Sequence, residues 1–219
     1  MYEDLLLQLQ DSEDESDRIN AAKSLRHYES AQTIVALTQA LGDPEAVVVG
    51  EVMQTLKSFQ RDKVLPNLIN RANDFNEAIR WSIAELLVDF PSPMSEETLS
   101  KLLDDSSSNV QGAAARSLKQ MPVKIQTVEK LKSFLEHSQP FPRYEALKTL
   151  RVFLSGEIDD ATVVLRDLHS SELSNKRAAL NYIRELDDKR WIATVEAFVS
   201  DSEPTIRKTA QWVLSRLKR

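Results

Sequence analysis

Apolar residues return along this chain at a nearly constant interval. Leu25, Leu56, Leu87, Leu118, Leu150, Ile183 and Leu214 are separated by 31, 31, 31, 32, 33 and 31 residues. Nineteen positions before each of them stand Leu6, Leu37, Leu68, Leu99, Leu131, Val164 and Val195, apolar in all seven units. Four positions before stand Ala21, Val52, Ile83, Ala114, Ala146, Ala179 and Ala210, always small or β-branched. With 42% of the residues hydrophobic, one such column can arise by chance, but several in a single frame cannot. The chain is a tandem repeat.

Within a unit the spacing is helical. The apolar positions at −19 and −15 from the anchor lie four apart on one helix face, and those at −4, −3 and 0 form a second stripe. Between the stripes fall short polar segments such as GDPEA, NDFNE and DSEP, rich in turn and N-cap residues. Each unit therefore reads as an antiparallel helix pair. One pair cannot bury both of its faces, so the pairs must stack and share a core. The expected fold is all-α, a right-handed α-α superhelix of seven helix pairs. The pairs span about 1–28, 31–60, 62–90, 95–121, 124–154, 158–187 and 190–219, in a single domain covering 1–219.

The units resemble HEAT repeats in the short bacterial form found in the phycobilin lyase family, with a consensus of roughly D-x-D-P-x-V-R-x-x-A-A-x-A-L. The nearest matches are DFNEAIRWSIAELL (74–87) and DSEPTIRKTAQWVL (201–214). The Asp column of the family falls on Ser12, Asp43, Asp74, Asp105, His137, Ser170 and Asp201. Its Arg column falls on Arg18, Val49, Arg80, Gln111, Arg143, Lys176 and Arg207. The resemblance implies that these columns knit neighbouring repeats together. Asp and Arg coincide within one repeat only in repeats three and seven, so the ladder is expected to be incomplete. A HEAT solenoid also places its second helices on the concave surface.

Composition narrows the class of function. Four glycines suit helices rather than β-turns. Without cysteine there is no disulfide, thiolate metal site or cysteine nucleophile. A net charge of −6 opposes global attraction to nucleic acid or anionic membranes. The N-terminal MYEDLLLQLQDSEDE is acidic where a leader would be basic, and no run approaches the roughly 18 apolar residues of a membrane span. A soluble, cytoplasmic protein is the expectation, as a monomer or a heterodimer.

No phosphate-binding glycine loop or nucleophile elbow occurs. His137 and His169 occupy near-equivalent turns, but solvent-exposed turn histidines are the commoner case, and no metal site is assigned. Asp159-Asp160 and Asp187-Asp188 read as solvating and capping residues rather than as an acid–base pair. The expectation leans away from an enzyme, with no catalytic residues.

One surface column stands out. The positions after the anchors carry Arg26, Lys57, Lys119, Arg151 and Arg184, and three positions earlier come Lys23, Arg116 and Lys148. Side chains three apart share a helix face, so these eight are expected to form a basic strip on the second helices, although helix-end Lys and Arg also arise from the helix dipole. The strip is expected to dock an acidic protein surface or acidic small molecule between repeats four and six. Trp81, Tyr144 and Trp212 are expected to be partly exposed and are candidate aromatic anchors. Phe59, Phe75, Phe90, Phe134, Phe153 and Phe198 are assigned to the core.

The function expected is a non-catalytic protein-binding scaffold or adaptor with an acidic partner and no cofactor. The resemblance supplies the alternative of a phycobilin lyase subunit or phycobilisome-associated protein, and only then would a bilin bind. Nucleic-acid binding ranks third and is disfavoured by the acidic balance.

Overall fold

The computed structural model describes residues 1–154 and 158–219. Among these residues there are fourteen α-helices, four short 3₁₀ turns and no strand. They fall into two compact units, Met1–Lys130 and Leu131–Arg219. Among the described residues, no helix is long and apolar enough to cross a membrane.

The helices come in the seven pairs that the periodicity demands. The first four pairs are α1 (Tyr2–Asp11) with α2 (Glu15–Ser24), α3 (Ala31–Ala40) with α4 (Ala46–Lys57), α5 (Arg61–Arg71) with α6 (Glu77–Leu86), and α7 (Pro93–Leu102) with α8 (Ser108–Leu118). The last three are α9 (Ile125–Ser133) with α10 (Pro140–Phe153), α11 (Asp160–Leu168) with α12 (Leu173–Leu186), and α13 (Ile192–Glu196) with α14 (Pro204–Leu217). Residue 130, which closes the first unit, lies inside α9.

Local chemistry starts these helices where the turn residues fall. The side chains of Asp14, Ser30, Asn76, Ser92, Ser107 and Asp159 each accept a hydrogen bond from a backbone N–H of the first turn. Pro140 and Pro204 begin α10 and α14, where a missing N–H leaves no bond unmade.

The apolar columns are the cores of the two units. The seven anchors are all buried, six of them completely and Leu214 at 9% exposure. The column four residues earlier is fully buried in every repeat. Alanine at five of its seven positions lets successive second helices approach closely, α2 on α4 and α6 on α8 in the first unit and α12 on α14 in the second. Two buried hydroxyls reach across repeats to backbone: Thr55 donates to the Ala22 carbonyl and Ser82 to the Leu41 carbonyl, both at 3.0 Å. Phe75 departs from the expected pattern. It sits in the turn before α6 and is fully exposed at 105%, because the turn points its side chain outward while its carbonyl accepts from Arg80.

The Asp and Arg columns build a ladder whose register differs from the one sought within single repeats. The residue of the Asp column accepts, in all seven repeats, the backbone N–H two positions on. Oxygen serves in six cases, and in the fifth repeat His137 Nδ1 takes the N–H of Gln139 at 3.0 Å. Arg18, Arg80, Arg143 and Arg207 each donate back to the two carbonyls that open the turn. The ion pairs then run forward to the next repeat. Arg18 meets Asp43 at 2.7 Å, Arg80 meets Asp105 at 2.7 Å, and Lys176 meets Asp201 at 3.2 Å. Arg143 pairs with Asp167 at 2.7 Å, both side chains only 3% exposed. At Val49 the column holds no cation, and Asp74 pairs with Arg71 instead.

Candidate partner-binding surfaces

The outward face of each second helix carries the positions −6, −2 and +1 from the anchor, one turn apart. In Met1–Lys130 this face is charge-balanced rather than basic. Arg26 pairs with Glu51 at 3.1 Å, Lys57 with Asp89 at 2.8 Å, and Arg116 with Glu85 at 3.0 Å. Lys23 and Lys119 are exposed and make no ion pair among the described residues. The acids lie on neighbouring repeats: Glu51 on α4, Asp89 in the turn after α6, and Glu85 in the −2 column itself, at a position where other repeats carry a cation.

The second unit begins in the same way. Lys148 contacts Glu145 at 2.9 Å and Glu185 at 2.7 Å. Burial pushes its ammonium pKa down, but the hydrogen bonds and charge of those two glutamates outweigh it and hold the pKa above the usual lysine value. Arg151 binds Asp160 at 2.5 Å. Asp160, expected to be a solvated loop residue, is 2% exposed and also takes Arg190 and the Tyr182 hydroxyl. Asp159 is the helix cap that the sequence suggested. Four of the eight strip residues (Arg116, Lys148, Arg151 and Lys57) are thus held by a carboxylate within 3.0 Å.

The last two repeats differ. Arg184 lies over the ring of Trp212 at 4.4 Å, joining α12 to α14, and its nearest carboxylate, Glu185, is 3.7 Å away. Trp212 is 56% exposed. Two turns before Arg184 on the same α12 face stands Arg177, and one turn before Trp212 on α14 stands Lys208. Both are exposed and make no ion pair among the described residues. Sequence reasoning brought Arg184 and Trp212 forward but passed over Arg177 and Lys208. The signal was the −6 column, which was read only for its aromatics.

The other two aromatic anchors separate. Tyr144 is buried at 4% exposure and packs its ring 5.2 Å from that of Tyr182, so it belongs to the core of the second unit and not to a surface. Its hydroxyl pKa is raised by burial and then by the charge of Asp167. Trp81 is half-buried and forms one wall of a cavity of about 290 Å³ in the first unit, between α4 and α6. Pro44, Ala46, Val49, Gly50 and Met53 form the other wall.

The remaining chemistry is structural. A polar hollow of about 480 Å³ in the second unit contains His137, Arg143, Asp167 and Asn175, the ladder residues already engaged with one another. His169 Nδ1 lies 2.7 Å from the Leu165 carbonyl of its own helix. Among the described residues, no three His, Asp or Glu side chains are gathered to hold a metal ion.

Comparisons agree with this architecture. A family model described as HEAT repeats matches residues 2–87 and 65–151. No curated protein matches the chain. Among solved structures, the Escherichia coli protein YibA is similar at 17% identity and a TM-score of 0.58, over 99% of this chain and 92% of that one. The complex of CpcE and CpcF of the phycocyanin lyase of Nostoc sp. PCC7120 is similar at 18% identity and a TM-score of 0.50, over 100% of this chain and 94% of that one. At such identities the likeness shows the fold, a helical repeat solenoid.

Proposed function

This chain belongs to the HEAT-repeat family, and we propose that it is a non-catalytic protein-binding scaffold whose unit Leu131–Arg219 takes an acidic partner. One observation carries the reading: Arg184 lies over the exposed ring of Trp212 at 4.4 Å, with the exposed Arg177 two turns before Arg184 and the exposed Lys208 one turn before Trp212 on the same two helices. Tryptophan and arginine are the residues most often found at the energetic centre of interfaces, and a cation poised over an indole keeps its hydrogen-bonding edge for a carboxylate. Charge distribution supports the choice of partner. Leu131–Arg219 holds 15 basic and 13 acidic residues, net +2, whereas Met1–Lys130 holds 13 basic and 21 acidic, net −8. The paired cations Lys148 and Arg151 fit less well, since a partner must first displace Glu185 or Asp160.

A complex between two chains is what the similar structure from Nostoc records, and that supports a protein partner. The same likeness favours, as a second reading, a phycobilin lyase subunit, with a bilin bound.

Affinity capture decides between them. Wild type is compared with the triple variant Arg177→Glu, Arg184→Glu, Lys208→Glu, and with a control carrying Lys148→Glu and Arg151→Glu. The scaffold reading expects a protein retained by wild type, released by about 0.5 M salt and lost from the triple variant. Identical recovery by wild type and the triple variant would sink it, and a captured pigment absorbing in the visible would establish the second reading.

A further inference from the structure

We propose that the groove between α4 and α6 in the unit Met1–Lys130 is a docking site for a basic segment of another protein, which buries one apolar side chain against Trp81. This second site does not depend on the acidic-partner reading and has the opposite charge requirement.

The groove exists because the fold leaves this seam open. In repeats one, three, five and six the Arg-column residue crosses to an aspartate one repeat on. In repeat two the column holds Val49, nothing crosses, and Asp74 is turned back to Arg71 at 2.7 Å. The α4 face at this seam is Ala46, Val49, Gly50 and Met53, at helical spacing of three and four. The facing surface of α6 is Ala78, Trp81 and Ser82.

Gly50 is the informative residue. A glycine inside a helix costs about 0.5–1 kcal/mol relative to alanine, and packing does not require one here, since a Cβ at Gly50 would meet nothing within 4 Å. The contrast is Gly42, eight residues earlier, where a Cβ would lie 2.7 Å from Asn76 Nδ2 and 2.9 Å from Ile79 Cγ1. Gly42 is demanded by the approach of its turn to α6. Gly50 serves only to keep the space beside Trp81 empty.

Size and charge identify the occupant. A cavity of about 290 Å³ stands at the small end of the ~300–1,000 Å³ range of ligand pockets and has room for a single large side chain. The apolar character extends past the groove to Val47, 56% exposed, and to the fully exposed Phe75 just before α6. No lysine or arginine lines the groove. Lys57, one turn beyond Met53 on α4, is held by Asp89 at 2.8 Å. Asp43 lines the groove, Glu45 precedes α4 next to the lining residues Pro44 and Ala46, and Glu77 opens α6 with its carboxylate turned to Ser107 and Asn109 of the next repeat. Hydrogen bonds from Ser107 and Asn109 to Glu77 keep its carboxyl pKa below the usual value, so it stays charged. In a unit of net charge −8, an acidic segment is repelled and a basic one attracted, which governs both encounter and selectivity.

The test uses two fluorescein-labelled peptides with the same central Leu-Phe pair, one flanked by lysines and one by glutamates, titrated with the full chain by anisotropy. The lysine peptide is expected to bind and the glutamate peptide not to. Gly50→Leu fills the groove from an exposed helix face without touching the core, and is expected to weaken binding at least tenfold with helicity unchanged. Phe75→Ser, at a fully exposed position, is expected to weaken it a few-fold, and so is Glu45→Lys, at an exposed position that makes no ion pair among the described residues. Equal binding by Gly50→Leu, equal affinity for both peptides, or binding of neither overturns the proposal. So does a concentration-dependent self-association in sedimentation that Gly50→Leu abolishes, since the occupant is then a second copy of the chain.

Discussion

Replacing Arg80 by alanine isolates what the inter-repeat ladder contributes. The Arg80 guanidinium makes two bonds to Asp105, at 2.7 and 2.9 Å, and two to the carbonyls of Asp74 and Phe75, at 2.8 and 3.2 Å. The two side chains are 13% and 7% exposed. Breaking a buried pair from one side costs about 3–5 kcal/mol. The lower end applies, because Asp105 keeps the N–H of Ser107 at 2.8 Å and the turn carbonyls can turn to water. A loss of about 3 kcal/mol, or roughly 10 °C in Tm, is expected in urea or thermal denaturation followed by far-ultraviolet circular dichroism. Arg207 provides the comparison. It makes the same carbonyl bonds, at 2.7 and 2.8 Å, but no ion pair among the described residues, so Arg207→Ala should cost about 1 kcal/mol. The pH dependence follows from Asp105. Burial raises its pKa, but the hydrogen bond from Arg80, the N–H of Ser107 and the charge of Arg80 bring it below the ordinary value. A depressed carboxyl pKa contributes stability that is present above the unfolded value near ~3.9 and lost as pH falls through the folded one. The gap between wild type and Arg80→Ala should hold from pH 7 to about 5 and narrow as the pH falls below about 4. Equal losses for the two variants, or a gap that does not narrow at all below about pH 4, would refute an ion pair as the source of the ladder's strength.

Three further outcomes follow from individual contacts. Gly50→Ala should raise the stability of the first unit by about 0.5–1 kcal/mol, whereas Gly42→Ala should lower it by about 1–3 kcal/mol; urea midpoints of the two variants should move in opposite directions. Lys148→Met should cost about 1.5 kcal/mol at neutral pH. Because the Lys148 pKa is raised, that contribution is full below the unfolded lysine value near ~10.4 and is lost only as pH rises beyond it, so titrating the variant from pH 6 to 10 should show no change in the difference. A double-mutant cycle of Arg184→Ala with Trp212→Ala should return a coupling of about 0.5–1 kcal/mol, and a coupling near zero would show that the stacked geometry contributes nothing in solution.

The fold was legible because it rests on columns that tolerate little variation. An anchor such as Leu118, with Ala114 four residues before it, is enclosed on every side, so its chemistry repeats wherever the packing repeats. Turn and cap positions were legible for the same reason, since the N–H of residue i+2 must find an acceptor whether Asp, Ser or His supplies it. Phe75 was misplaced because an apolar residue in a turn obeys no column. Tyr144 was misplaced for the converse reason. It shares the −6 position with the half-buried Trp81 and the exposed Arg177, but in its repeat Tyr182 and the core of the second unit close over it.

Surface charge was the least legible feature, and the cause is geometric. On a stacked second helix a cation's nearest acid lies either one turn away or on a neighbouring repeat, about one period along the chain. Arg26 finds Glu51 and Lys57 finds Asp89 in this way. A basic column is therefore informative only after each member has been tested against the acids of its own and of both neighbouring repeats. Applied to the +1 column, that test removes Arg26, Lys57 and, through Asp160, Arg151, while Arg184 lies over Trp212 and has its nearest carboxylate only at 3.7 Å. Applied to the −2 column it removes Arg116 and Lys148. What survives at the end of the chain is a cation over an exposed indole, and what survives in repeats two and three is an apolar seam bordered by glutamates. The same repeat, by changing which column residue is charged, glycine or aromatic, thus offers surfaces of different chemistry in the two units.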